Sequence, residues 1–137
     1  MKSRIEEAVR KKSNGYNCAQ AILCTYCDKL GTSEQDAYRM SAAMGAGMGS
    51  MDGTCGAISA ACMAAGMAQK GEGNTTAASL KQAREMMQRF AKQNGTVTCR
   101  ELKGIGTGKV LRSCPDCVKD AATFLEAVVF QDEMKED

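Results

Sequence analysis

Charged and polar residues alternate with apolar ones in helical fashion along most of this chain. Arg4-Ile5-Glu6-Glu7 and the stretch Lys81 through Arg89 mix both signs of charge, as a solvated helix face does. Runs of Val, Ile and Thr with a period of two, the mark of strands, are nearly absent. Ala, Met, Glu, Lys and Gln dominate, and all are strong helix formers. The pattern predicts an all-α fold: one compact helical domain over residues 1–137, with about five to six helices. Residues 3–12 form the first, stopped by Ser13-Asn14-Gly15. A second runs from Asn17 to Leu30 and ends at Gly31. Ser33 caps a third, with Asp36 completing a near capping box, and it reaches Met44. A glycine-rich loop, Gly45 to Thr54, precedes a central helix from Cys55 to about Gln69. Asn74-Thr75-Thr76 caps a fifth helix that ends at Asn94-Gly95. Residues 96–113 read as loop with a short turn at Cys99–Lys103. A last helix starts at Pro115, where a missing N–H costs little, and runs to Phe130. The tail from Gln131 to Asp137 is expected to fray.

Charge and composition narrow the function classes. A net charge of +2 gives no argument for nucleic acid. The N-terminus is charged from Lys2 onward, without an apolar signal core. No apolar run approaches the ~20 residues that span a bilayer. The expectation is a cytoplasmic protein, with no membrane insertion.

The chemistry lies in eight cysteines and no histidine. The cysteines are Cys18, Cys24, Cys27, Cys55, Cys62, Cys99, Cys114 and Cys117. Without histidine, Cys/His zinc sites, the common haem ligand and a Cys–His catalytic pair all drop out. Thiols stay reduced in a cytoplasm, so metal binding or catalysis is favoured over a disulfide scaffold. What remains is a soft metal, an iron–sulfur cluster, or a thiol/disulfide couple.

The sharpest segment is Gly53-Thr54-Cys55-Gly56-Ala57. It delivers a cysteine to a helix N-terminus, where free N–H groups and the helix dipole favour a thiolate. The same spacing also fits a small-residue helix contact with an incidental cysteine. Cys114-Pro115-Asp116-Cys117 places a C-x-x-C where a helix begins, either a redox pair or half of a metal site. Cys24-Thr25-Tyr26-Cys27 is a second C-x-x-C, but mid-helix, and reads as core. Cys18 lies about 120° around that helix from Cys24 and about 180° from Cys27, so all three cannot point into one site without help from the helix start. Cys62 reads as a small buried residue. Met40, Met44, Met48 and Met51 are soft enough for copper(I), yet their spacing reads as core filling. Gly45-Ala46-Gly47-Met48-Gly49 lacks the Lys-Ser/Thr end of a phosphate loop.

Taken together, four segments resemble a bacterial and archaeal family of small redox proteins named for its cysteine pattern: C, GCAxxG, C, C. They are Gly15-Tyr16-Asn17-Cys18-Ala19-Gln20; Gly47-Met48-Gly49 followed by Cys55-Gly56-Ala57; Cys99-Arg100-Glu101-Leu102; and Cys114-Pro115-Asp116-Cys117-Val118. The resemblance puts the family cysteines at Cys18, Cys55, Cys99 and Cys114, leaving Cys24, Cys27, Cys62 and Cys117 as additional. Ala60 stands where the central motif ends in glycine, a mild change that suggests slightly wider packing. The family is similar to part of the split-Soret cytochromes, which carry haem and an iron–sulfur centre. With no C-x-x-C-H and no histidine, the haem does not carry over; the cluster could.

Two function classes follow. In the first, Cys18, Cys55, Cys99 and Cys114 hold an iron–sulfur cluster, or zinc or another soft metal, for electron transfer to a redox partner protein. In the alternative, the protein is a metal-free thiol oxidoreductase. Cys55 attacks and Cys18 or Cys114 resolves, with Cys114–Cys117 as another couple. A structural zinc staple is a blander third option. Small-residue helix faces and a methionine-rich surface leave a homodimer open.

Overall fold

The computed structural model describes residues 1–71 and 73–136. Among these the fold is all-helical, as the pattern predicts, with no β-strand. In chain order the helices are α1 (Ile5–Ser13), α2 (Cys18–Thr25), α3 (Glu34–Ser41), α4 (Gly45–Met48), α5 (Gly56–Met67), α6 (Thr76–Asn94), α7 (Cys99–Lys103), α8 (Cys114–Val128) and α9 (Gln131–Met134). Short 3₁₀ turns cover Cys27–Leu30 and Ala42–Met44. No helix of the described residues is long and apolar enough to cross a membrane.

The centre of the fold is α5, packed against α2, α6 and α8. Its neighbours come close because Ala57, Ala60, Ala61, Ala64 and Ala65 are all fully buried. Ala60, the residue that departs from the family pattern, is thus inside a close contact, where a glycine would leave still more space. Ile22, Leu23, Ile58, Val118 and Leu125 fill the gaps between these helices.

Three differences from the sequence reading have physical causes. The second predicted helix breaks at Tyr26. Thr25 donates its hydroxyl back to the Ala21 carbonyl at 2.7 Å, a bond that bends helices. Tyr26 turns fully into the core, where its hydroxyl donates to Glu126 at 2.6 Å and its ring stacks on Phe130. The glycine-rich stretch is more ordered than a loop. It holds the single turn α4, in which Ala46 and Gly47 take left-handed φ values of 53° and 57°. The predicted fraying tail forms the turn α9, with Glu133 O accepting a hydrogen bond from the Met1 amino group. Asp137, the last residue of that tail, lies outside the described residues.

The methionine expectation is also corrected. Met40 and Met48 are 46% and 56% exposed. With Met44, Met63, Met87 and the half-buried Cys62, which also pack against the core, they line a shallow surface groove. The inward face of α3 carries Ala37 and Ser41 instead. Met40 is left on the outer face of α3, while Met44 packs partly against the core.

Candidate functional site

Five cysteines from four separate stretches line one small cavity: Cys18, Cys55, Cys99, Cys114 and Cys117. Its volume is about 20 Å³, room for one water molecule. Ala46, Gly56, Leu102, Lys103 and Arg112 complete the wall. Cys18, Cys55, Cys99 and Cys117 are buried, and Cys114 is half-buried.

Each sulfur is placed by a helix start. Asn17 and Gln20 form a reciprocal capping box at α2, so Cys18 occupies its first position. Asn17 also donates to the Ala42 carbonyl, and Gln20 to the Tyr38 carbonyl, which ties this start to α3 and the turn after it. Gly45 packs against the Asn17 side chain so closely that a Cβ there would lie 2.3 Å from Asn17 Nδ2. Cys55 is the N-cap of α5. Ser113 caps α8 by accepting from the Asp116 N–H, with Pro115 in the first turn and Cys114 at the first position. The helix thus begins one residue before the predicted start.

A short antiparallel contact brings Cys55 and Cys99 together. Thr54 bridges Thr98, the Cys55 N–H donates to Val97 O at 2.7 Å, and the Cys99 N–H donates to Gly53 O at 3.0 Å. Arg100 fastens the same contact through its backbone N–H to Met51 O and its side chain to Asp52. Gly47 leaves the space that Cys99 needs. A Cβ on Gly47 would fall 2.5 Å from Cys99 Cβ.

Four of the sulfurs form two proton-sharing pairs. Cys114 carries a thiolate with a pKa lowered to about 6. The first cause is the hydrogen bond from the Cys18 thiol. Lys103, which also donates to the sulfur, and Lys12 add to it against burial. The same bond raises Cys18, together with burial. Cys55 is likewise lowered, first by a hydrogen bond from Cys117 and then by the backbone N–H groups of Ala57 and Ile58 at its helix start. Cys117 is raised in return. Each donor thiol also has a backbone carbonyl at the limit of sulfur hydrogen bonding, 4.0 Å for Cys18 and 3.9 Å for Cys117. The thiolates are the better acceptors, because a charged acceptor roughly doubles hydrogen-bond strength. Cys99 stands outside both pairs, and burial raises its pKa, opposed by Lys103.

Among the described residues, no three His, Cys, Asp or Glu side chains are arranged to hold a metal ion. The cavity holds the family cysteines Cys18, Cys55, Cys99 and Cys114 and adds Cys117. It excludes Cys24, which donates to Glu34 O at 3.7 Å, as well as Cys27 and Cys62. Cys62 is half-buried rather than fully inside. Lys103 and Arg112 were not singled out by the sequence. Lys103 lies on the turn that begins with Cys99, and Arg112 lies two residues before Cys114, so proximity to the cysteines was their one available signal.

A family model described as "Putative redox-active protein (C_GCAxxG_C_C)" matches residues 16–128, from the capping box of α2 to the end of α8. No curated protein and no solved structure matches the chain. The matched span contains all five cavity cysteines and nearly the whole fold, and the chain belongs to the C_GCAxxG_C_C family.

Proposed function

We propose that the protein exchanges electrons through its clustered thiols, with Cys114 and Cys18 as a thiol/disulfide couple and Cys55 and Cys117 as a second couple behind it. The observation that supports this reading is the pairing itself. Each pair sets one stabilised thiolate against one protonated thiol, the state from which a disulfide forms. Cys114 is the better nucleophile of the two thiolates. It is the accessible one, and its pKa of about 6 leaves it mostly ionised at pH 7. Cys55, at 5% exposure, is shielded behind it.

The chemistry balances without another group. The Cys114 thiolate attacks one sulfur of a disulfide partner and expels the other half as a thiolate. Cys114 is then neutral, so the main cause of the raised Cys18 pKa disappears. Cys18 passes its proton to the departing thiolate and attacks the Cys114 sulfur. The second half leaves as a thiolate and takes a proton from water. The partner disulfide gains two electrons, and Cys18–Cys114 becomes a disulfide. Reduced starting thiols of this kind suit a cytoplasm.

A second reading is favoured by Cys99. Two dithiol couples leave it without a task, yet Gly47 and Gly53 place it at the cavity wall. Thiolates are suitable donors for an iron–sulfur cluster, zinc or another soft metal. Cys18, Cys55, Cys99 and Cys114 would hold it, with the starts of α2, α5 and α8 offsetting their charge. A cluster would supply one-electron transfer in place of exchange. The donor set fits in kind; in arrangement, the side chains would have to turn toward a common point.

One experiment separates the readings. Protein purified without oxygen is assayed for iron, zinc, acid-labile sulfide and visible absorption, then titrated through a series of thiol/disulfide buffers with peptide mapping. Little metal, with reversible two-electron formation of a Cys18–Cys114 link, supports the couple. Iron with matching sulfide and a charge-transfer band would sink it in favour of the cluster. Single Cys→Ser changes give a further check, since a four-ligand centre needs Cys99 and the couple does not.

A further inference from the structure

The cavity is reached at Cys114, the one half-buried sulfur of the five. The charges that lower the pKa of the Cys114 thiol are those of lysines. Lys103 lines the cavity and donates to the Cys114 sulfur. Lys12, on α1, adds its field at both Cys114 and Cys18. Arg112 also lines the wall, but its charge is largely neutralised. It grips Asp120 through Nε and Nη2 at 2.8 Å each, and Asp116 lies 3.8 Å from Nη1. Asp116 is the acidic residue closest in sequence to Cys114, and it faces that arginine. No Asp or Glu of the described residues lines the cavity. Glu101, on the same turn as Lys103, is exposed and accepts from the Thr96 hydroxyl instead.

When Cys114 joins a mixed disulfide its negative charge is lost. The ammonium of Lys103 then faces the bound partner with no anion of its own, and Lys12 adds to the local positive field. A partner carrying negative charge beside its sulfurs replaces the lost anion. A cationic partner adds like charge to a confined site. We propose that the disulfide reduced at Cys114 is anionic, with carboxylate groups close to the sulfur–sulfur bond, and that Lys103 and Lys12 select it. This rests on the Cys18–Cys114 couple proposed above.

The test compares two probes on the reduced protein at pH 7 and low salt: dithiobis(nitrobenzoate), a dianion, and cystamine, a dication. Each rate is divided by that probe's rate with 2-mercaptoethanol, a neutral thiol, which removes intrinsic reactivity. The normalised ratio should favour the anion by about 10-fold or more, within the usual range of electrostatic steering. It should fall toward one in about 0.5 M salt, where screening acts over a few ångströms. Lys103→Gln and Lys12→Gln should each reduce the ratio several-fold, and Lys103→Arg should retain it. Lys103→Gln also makes the Cys114 thiol less acidic, but that slows both probes alike and leaves the ratio to report selection. A ratio near one at low salt, or a ratio unmoved in the double lysine variant, overturns the proposal. So does failure of the anionic probe to react faster than with unfolded chain. Peptide mapping of the products keeps the underlying couple separate. A high ratio without a Cys18–Cys114 link upholds selection of anions and removes the couple.

Discussion

Six of the eight cysteines divide into two groups by where they sit on helices. Cys18, Cys55 and Cys114 stand at the starts of α2, α5 and α8, and Cys99 at the start of α7. Cys24 and Cys62 lie within helices, and their thiols point at the carbonyls of Glu34 and Ala83. A helix start offers N–H groups and the positive end of a dipole, whereas a carbonyl offers only an acceptor. The second group therefore consists of neutral donors. Burial raises Cys24 to about 11 and raises Cys62 as well. The first group gathers around one cavity, where Cys18 pairs with Cys114 and Cys55 with Cys117. Burial alone does not separate the two groups, since Cys24 and Cys55 are both nearly inaccessible yet Cys24 is raised and Cys55 lowered.

The comparison is broken most sharply at Cys114. At pH 7 a group at about 6 is mostly thiolate, whereas one at about 11 is ionised in roughly one molecule in 10⁴. Weaker nucleophilicity at low pKa offsets about half of that on a logarithmic scale. Cys114→Ser is therefore expected to slow the fastest thiol reaction roughly 100-fold in stopped-flow alkylation. Cys24→Ser should leave that phase in place. If Cys24→Ser removed it instead, the division of the cysteines would fail.

The placement of Cys99 is tested at Gly47. Its φ of 57° and a 2.5 Å approach of any Cβ to Cys99 both oppose a side chain. Gly47→Ala should cost about 2–4 kcal/mol by urea unfolding, within the range for strain combined with overpacking. Gly49, also left-handed at φ 81° but with open space around it, is the control. Gly49→Ala should cost about 1 kcal/mol, from the left-handed backbone alone. Equal losses at the two sites would show that Cys99 is not tightly held.

The pH dependence of stability sharpens the pairing. An unfolded cysteine ionises near 8.5. Between about pH 6 and 8.5 the unfolded Cys18 and Cys114 hold two protons and the folded pair holds one, so stability rises with pH. Above about 8.5 the unfolded thiols lose both protons while Cys18 keeps its own, so stability falls again. Thermal melts should peak near pH 8.5. Cys114→Ser should flatten the rising side, and a profile that the variant leaves unchanged would count against the shared proton.

The smallest effect is expected at Cys62. It is half-buried at the rim of the methionine groove, and Cys62→Ser should change stability by less than about 1 kcal/mol. A larger loss would mean that the groove supports the fold.

Much of this was legible from sequence because it is local. Ser33, Asn17 and Pro115 mark helix starts through chemistry confined to a few neighbours, and Cys55 at its helix start needs only the glycine before it and the alanines after it. The pairing of Cys55 with Cys117 was not legible. It depends on how α5 packs on α8, and local spacing pointed to Cys114 as the neighbour of Cys117. The break at Tyr26 was hidden for a similar reason, since its partner Glu126 is one hundred residues away. The exposure of Met40 was not legible because helical spacing says which residues share a face, but not which face turns inward.

The cavity is stitched from four distant stretches, and that has a consequence for synthesis. A growing chain emerges with Cys18, Cys24, Cys27, Cys55, Cys62 and Cys99 before Cys114 and Cys117. Until α8 appears, Cys18 and Cys55 have neither of their eventual partners, while wrong ones are at hand. An oxidant acting on the nascent chain would link the early cysteines to one another and trap misfolded forms. Oxidative refolding from reduced, unfolded protein is thus expected to scramble, whereas refolding first and oxidising afterward should give the paired form in high yield.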